Sequence, residues 1–163
     1  MVVPLSFNTL LQSLSQGPPA QTWATASATV SDDGADITQA IHQGLAMVVS
    51  NGSFKEGFGM AAFTIVGNVS SHQLVATNVT PSQRDDINSY HSELRGLYGV
   101  MAMVKQVVSY HDINNGQIEV GSNCLVGLQR VFMDWQKSLP LEAHHDLVLA
   151  IHRKVCQSPL QWR

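Results

Sequence analysis

Charge is what this sequence has least of. Asp, Glu, Lys and Arg together make up 13% of its 163 residues. The nine Lys and Arg are scattered, Arg153-Lys154 is the longest basic run, and the net charge is −3. That excludes a contiguous basic sequence tract of the kind that holds phosphate backbones. It leaves open binding through metal ions and backbone groups. Cysteine is scarce too: Cys124 and Cys156 are too few for a disulfide framework, and both are expected as buried thiols. No apolar run approaches the ~20 residues that span a bilayer. Met1-Val2-Val3-Pro4 does not open a basic-then-apolar leader. The Asn-x-Ser/Thr triplets at Asn51, Asn68 and Asn78 are therefore read as chance. These absences predict a soluble intracellular protein.

What is present suits one compact domain. The apolar content is 44%, and a chain of this length buries roughly 70% of its unfolded surface on folding. The chain is organised around Val48 to Val66, two apolar β-branched runs with a Gly-containing turn between them. Asn51-Gly52 alone is a two-residue hairpin signal. A turn there would leave a very short first arm and strand Phe54 and Phe58 in the second. Turning at Lys55–Phe58 gives matched arms, Ala46–Phe54 and Gly59–Gly67, and is the reading adopted. It leaves Ser50-Asn51-Gly52-Ser53 near the end of a central strand.

Residues 1–45 read as an N-terminal appendage or linker. Leu5, Leu10, Leu11 and Leu14 are spaced for one short helix, which Pro18-Pro19 cannot continue. Trp23–Val30 is small and β-tolerant, and Asp32-Asp33-Gly34 is a turn. Asp36–Gly44 forms a helical segment with Ile37, Ile41 and Leu45 on one side. Past the hairpin, Gln73–Val79 is a third antiparallel strand. A long helix then runs from about Ser89 to Tyr110, with Tyr90, Leu94, Leu97, Met101, Val104 and Val108 as one narrow stripe. Gln117–Gly121 is a short strand, Leu125–Lys137 a helix broken at Leu139-Pro140, and His144–Val155 another. Leu160–Arg163 opens a last strand. The order β-β-β-α-β-α-α-(β) implies one mixed sheet covered by helices.

These elements resemble the ribonuclease H-like fold, in particular the domains of reverse-transcriptase and retrotransposon reading frames. The resemblance rests on Ser50-Asn51-Gly52-Ser53 ending the first hairpin strand, Ser92-Glu93-Leu94 in the first long helix, and Val120-Gly121-Ser122-Asn123 closing the fourth. It covers about Ala46 to Arg163. It implies an α/β fold in which strands 1, 2 and 3 are antiparallel, while strand 4 and a partial strand 5 run parallel to strand 1. It also implies a reaction, two-metal hydrolysis of the RNA strand of an RNA–DNA hybrid, with Mg²⁺ held by four carboxylates.

Matched position by position, this chain supplies one of those carboxylates, Glu93. The strand 1 position is Asn51 and the strand 4 position is Asn123, where the family carries Asp. The fourth follows a Val-x-Gly-His segment after strand 5, which the chain does not reach, so a domain lacking its C-terminal end is expected. On that reading, restoring Asp at 51 and 123 alone would not restore cleavage. Asp146 lies among residues that match a non-catalytic helix. An amide ligates Mg²⁺ without neutralising it, so no useful metal binding is expected. Two carboxylates ~4 Å apart also repel by roughly 4 kcal/mol at an effective dielectric of ~20, a cost that Asn removes. The expectation is a catalytically inactive or strongly impaired domain, by decay or by deliberate inactivation. The alternative is a non-catalytic module on the same scaffold, binding nucleic acid or pairing through an exposed sheet edge.

Taken without the resemblance, the same residues are plainer. Asn51-Gly52 is a turn, and Glu93 is a solvated helix residue. Ser53, Lys55 and Arg84 are surface groups that could touch a phosphate backbone. His144, His145 and His152 read as surface histidines, because the two that share a face, His145 and His152, are too far apart for paired ligation. Trp23, Trp135 and Trp162 read as packing residues.

Overall fold

The computed structural model describes residues 6–17, 22–25, 27–69, 73–79, 88–132 and 144–163. The elements in chain order are α1 (Phe7–Leu14), β1 (Thr29–Val30), a 3₁₀ turn (Asp32–Gly34), α2 (Ala35–Gln43), β2 (Ala46–Lys55), β3 (Phe58–Val66) and β4 (Gln73–Val79). There follow α3 (Ser89–Tyr110), β5 (Gln117–Ser122), α4 (Leu125–Phe132), α5 (His145–Gln157) and β6 (Gln161–Trp162). All six strands form one sheet in the order β1-β4-β3-β2-β5-β6. β2, β3 and β4 are antiparallel neighbours, β5 runs parallel to β2, and β6 runs parallel to β5. This is the mixed α/β sheet that the ribonuclease H-like resemblance implied.

The hairpin turns at Glu56-Gly57, both at positive φ (52° and 83°), with Lys55 opposite Phe58. Two left-handed residues in a two-residue loop match the right-handed twist of the strands. Asn51-Gly52 therefore lies inside β2 and is not a turn.

The α3 helix starts where Asn88 accepts a hydrogen bond from the His91 N–H at 2.9 Å, a cap of the kind worth about 1 kcal/mol. It lies on β2 and β3 with one side and against α5 with another. Hence the buried set is wider than one stripe: Val100, Met103 and Val107 join Leu94, Leu97, Met101 and Val104. Below it Ala46 and Val48 of β2, Phe63 and Ile65 of β3, Leu74 of β4 and Ile118 of β5 complete the core. The opposite face is different. Met47, Val49 and Met60 alternate with those buried residues and are exposed, so the described helices cover the sheet on one side.

Phe7, Leu11, Ile37 and Ile41 are buried in this same core, and β1 extends the sheet beyond β4. The Asp33 carboxylate fixes α1 by accepting from the N–H groups of Phe7 and Asn8, each at 2.9 Å. Leu45 corrects the expectation for α2. Gly44, at φ 71°, ends the helix, so Leu45 leaves its apolar side and is 63% exposed. Cys156 is also exposed and Cys124 half-buried, neither being a core thiol. Leu139-Pro140 and Trp135 lie outside the described residues. No described helix is long and apolar enough to cross a membrane.

Candidate active site

The parallel pair β2 and β5 holds register from Ala46 opposite Ile118 to Ser50 opposite Ser122. There β5 ends, while β2 runs on beside β3 alone. The carboxyl ends of adjacent parallel strands are where α/β sheets open crevices for ligands. Asn51 and Asn123 are the next residues on the two strands. The Asn123 Nδ2 group donates to Asn51 Oδ1 at 3.5 Å, a long contact between two exposed side chains.

Gly52 explains how Glu93 reaches this point. A Cβ at residue 52 would lie 2.3 Å from both the Glu93 nitrogen and the Ser92 carbonyl carbon. The α3 backbone thus rests directly on the strand, and only glycine leaves room for it. With no β5 residue beyond Ser122 to accept it, the Gly52 N–H donates to Glu93 Oε2 at 2.9 Å. The side chain takes the place of a strand partner. Residues 51, 93 and 123 come from three elements, and these contacts bring them to one end of the β2–β5 pair.

The electrostatics of Glu93 are one-sided. Burial pushes its carboxyl up from the ordinary value, and the Gly52 N–H pulls less strongly the other way. A carboxyl raised by folding adds stability that is full below its unfolded pKa and is lost as pH rises through the folded one. Glu93→Gln keeps the acceptor oxygen and removes the charge. In thermal melts its advantage over the parent is expected to open as pH rises through the carboxylate range and to persist at neutral pH. Glu93→Ala instead orphans a part-buried N–H and should cost about 1 kcal/mol at acid pH, a cost that narrows as pH rises and the parent loses the stability of its neutral carboxyl. A Glu93→Gln variant that melts below the parent at neutral pH would show that the charge is stabilised by something else.

Cys124 belongs to the same neighbourhood. Burial raises its thiol pKa, the Gly127 N–H donating to Sγ at 3.3 Å lowers it, and the nearby Glu93 charge raises it again. Neither Gly52 nor Cys124 stands out as functional in the sequence. A lone glycine inside a strand pattern is the one signal that could have marked residue 52.

The remaining candidates lie apart. Ser53 and Lys55 follow along β2 and are exposed, with Lys55 Nζ 4.0 Å from the Glu56 carboxylate. Asp146 is exposed in the first turn of α5. Arg84 lies outside the described residues. The surface reading of the histidines is corrected for His144, which is 5% exposed and packs its ring 4.8 Å from that of His91. Its own backbone is left-handed, at φ 63°. His152 is half-buried, with Nδ1 2.8 Å from the Val131 carbonyl. Trp23 and Trp162 pack on Tyr98 and Phe132.

As a donor set for Mg²⁺ the crevice fits poorly. It offers one carboxylate, already accepting an N–H, and two neutral amides, one donating to the other. Divalent magnesium gives up water reluctantly and favours charged oxygens. Among the described residues no group of three His, Cys, Asp or Glu could hold a metal ion.

No protein-family model matches the sequence, and neither does any curated protein. Solved structures similar to the chain include a ribonuclease H1 from the halophilic archaeon Halobacterium salinarum. Its identity is 8%, with 72% of this chain and 80% of that one covered, at a TM-score of 0.48. LC11 ribonuclease H1 in complex with an RNA/DNA hybrid gives 10%, 72%, 83% and 0.47. The N-terminal ribonuclease H domain of a Mycobacterium tuberculosis protein, solved as a fusion with maltose-binding protein, gives 11%, 72%, 81% and 0.41.

Proposed function

We propose that the chain is a ribonuclease H-like domain of the reverse-transcriptase or retrotransposon type, descended from a metal-dependent hydrolase of RNA in RNA–DNA hybrids and strongly impaired in that reaction. One observation supports this above others. Three residues far apart in sequence, Asn51, Glu93 and Asn123, gather where β5 ends beside β2. Two of them are amides of nearly the same shape as the carboxylates the reaction needs. A strand-end cluster of this kind serves no packing purpose, since both amides are exposed.

What the residues do now is structural. Glu93 completes the hydrogen bonding of β2 by holding the Gly52 N–H. The amide pair offers a weak neutral contact in place of two mutually repelling charges. Neither group is poised to take a proton from water or to gather two cations against a phosphodiester.

The assay is cleavage of a labelled RNA–DNA hybrid with Mg²⁺ or Mn²⁺. No product above the metal-free control is expected from the parent chain. Cleavage that disappears in Glu93→Gln would overturn the assignment of impairment.

A further inference from the structure

We propose that a second site, a cleft of about 600 Å³ between the N-terminal segment and the outer faces of α3 and α5, binds a phosphorylated planar ring of nucleotide size. It shares no lining residue with the Asn51–Glu93–Asn123 crevice, and the proposal stands independently of the function proposed for that crevice. Its volume falls within the range of small-molecule sites, ~300–1,000 Å³.

The charge of the cleft sets it apart from the rest of the chain. Arg95, Lys105 and Lys154 line it, three of only nine cationic side chains, and among the described residues no Asp or Glu does. In a protein of net charge −3 this concentrates positive potential in one concavity, which raises the local concentration of anions. Arg95, Tyr98, Ala102 and Lys105 recur on one side of α3, so the helix that buries its apolar face in the core presents a basic and aromatic face here. The Arg95 Nε–H is directed at His91 Nε2, 3.4 Å away, which orients the planar guanidinium that suits phosphate.

The floor is aromatic. Trp23, almost wholly buried, stacks on Tyr98 with centroids 6.3 Å apart and planes at 22°. The Lys154 ammonium sits 5.0 Å from the centre of the Tyr98 ring. A bare inorganic anion would meet the cations and leave the exposed part of the half-buried Tyr98 uncovered. A ring joined to a phosphate satisfies both, as bases on aromatic platforms beside cationic groups do.

The test is calorimetric titration of the full chain with AMP, inorganic phosphate and adenosine at low salt. AMP is expected to bind at least tenfold more tightly than either half-molecule. Lys105→Glu, at an exposed position, should weaken AMP at least tenfold without moving the melting temperature, and Lys154→Gln should weaken it as well. Comparison of dTMP with a 5′-phosphorylated thymidine octamer then separates the sources. A tighter octamer assigns the site to a strand end, and equal affinities assign it to a free nucleotide. AMP binding no better than phosphate, or AMP affinity unchanged in both lysine variants, would overturn the proposal.

Discussion

Gly52→Ala is expected to destabilise this protein by about 3 kcal/mol or more, a large part of the roughly 5–15 kcal/mol that holds a domain together. The added Cβ would sit 2.3 Å from the backbone nitrogen of Glu93 and the carbonyl carbon of Ser92. Both obstacles are main chain, so no rotamer change relieves the overlap. Overpacking a core costs about 1–3 kcal/mol when side chains can adjust, and here α3 itself must lift off β2. Lifting α3 disturbs Leu94 and Leu97, which are fully buried, and lengthens the bond from the Gly52 N–H to Glu93. Gly57→Ala is the informative companion. Nothing lies within 4 Å of a Cβ there, yet φ is 83°, so its cost is backbone strain of about 1–2 kcal/mol. Urea unfolding of the two variants should rank them clearly, residue 52 well above residue 57. A Gly52→Ala variant within 1 kcal/mol of the parent would mean that helix and strand do not meet there.

That contrast also shows what could be read from sequence. The hairpin turn was legible because matched arms outweighed the local Asn51-Gly52 signal, and α3 because its apolar spacing persists over 22 residues. A single mixed sheet followed from the alternation of elements after the hairpin, while the directions of its strands came only with the family resemblance. The N-terminal strand β1 was not legible, since two residues carry no periodicity. Nor was the second buried side of α3, because a stripe in sequence does not say how many neighbours a helix has. His144 is buried and left-handed at the start of α5, which nothing in its residue type announces. At the crevice, Asn51, Glu93 and Asn123 were found by matching positions to a family pattern. Their convergence needs the parallel pairing of β2 with β5, a contact between residues some 70 positions apart. The basic cleft was invisible for a similar reason. Trp23, Arg95 and Lys154 share no segment, and singly each is an ordinary surface or packing residue.

The double change Asn51→Asp, Asn123→Asp should convert the crevice from indifferent to metal-dependent. In EDTA the variant is expected to melt below the parent. The two side chains are exposed and their amides already approach to 3.5 Å. At that exposure two carboxylates ~4 Å apart repel by about 1 kcal/mol, well below the figure for a partly buried pair. Glu93 adds a third negative charge beside them. Three carboxylates at one strand end are the hard, charged oxygen set that divalent cations prefer. An ion bound only by the folded state stabilises it by about 2.7 kcal/mol at a concentration one hundred times its dissociation constant, more than enough to reverse the deficit. Millimolar Mn²⁺ or Mg²⁺ should therefore raise the melting temperature of the double variant past its EDTA value by several degrees, while leaving the parent nearly unmoved. Each single Asp variant should respond less than the pair, since each lacks one charged ligand. If the double variant ignores both cations, the side chains of residues 51, 93 and 123 do not point at a common centre, and the nuclease ancestry proposed above loses its chief structural support.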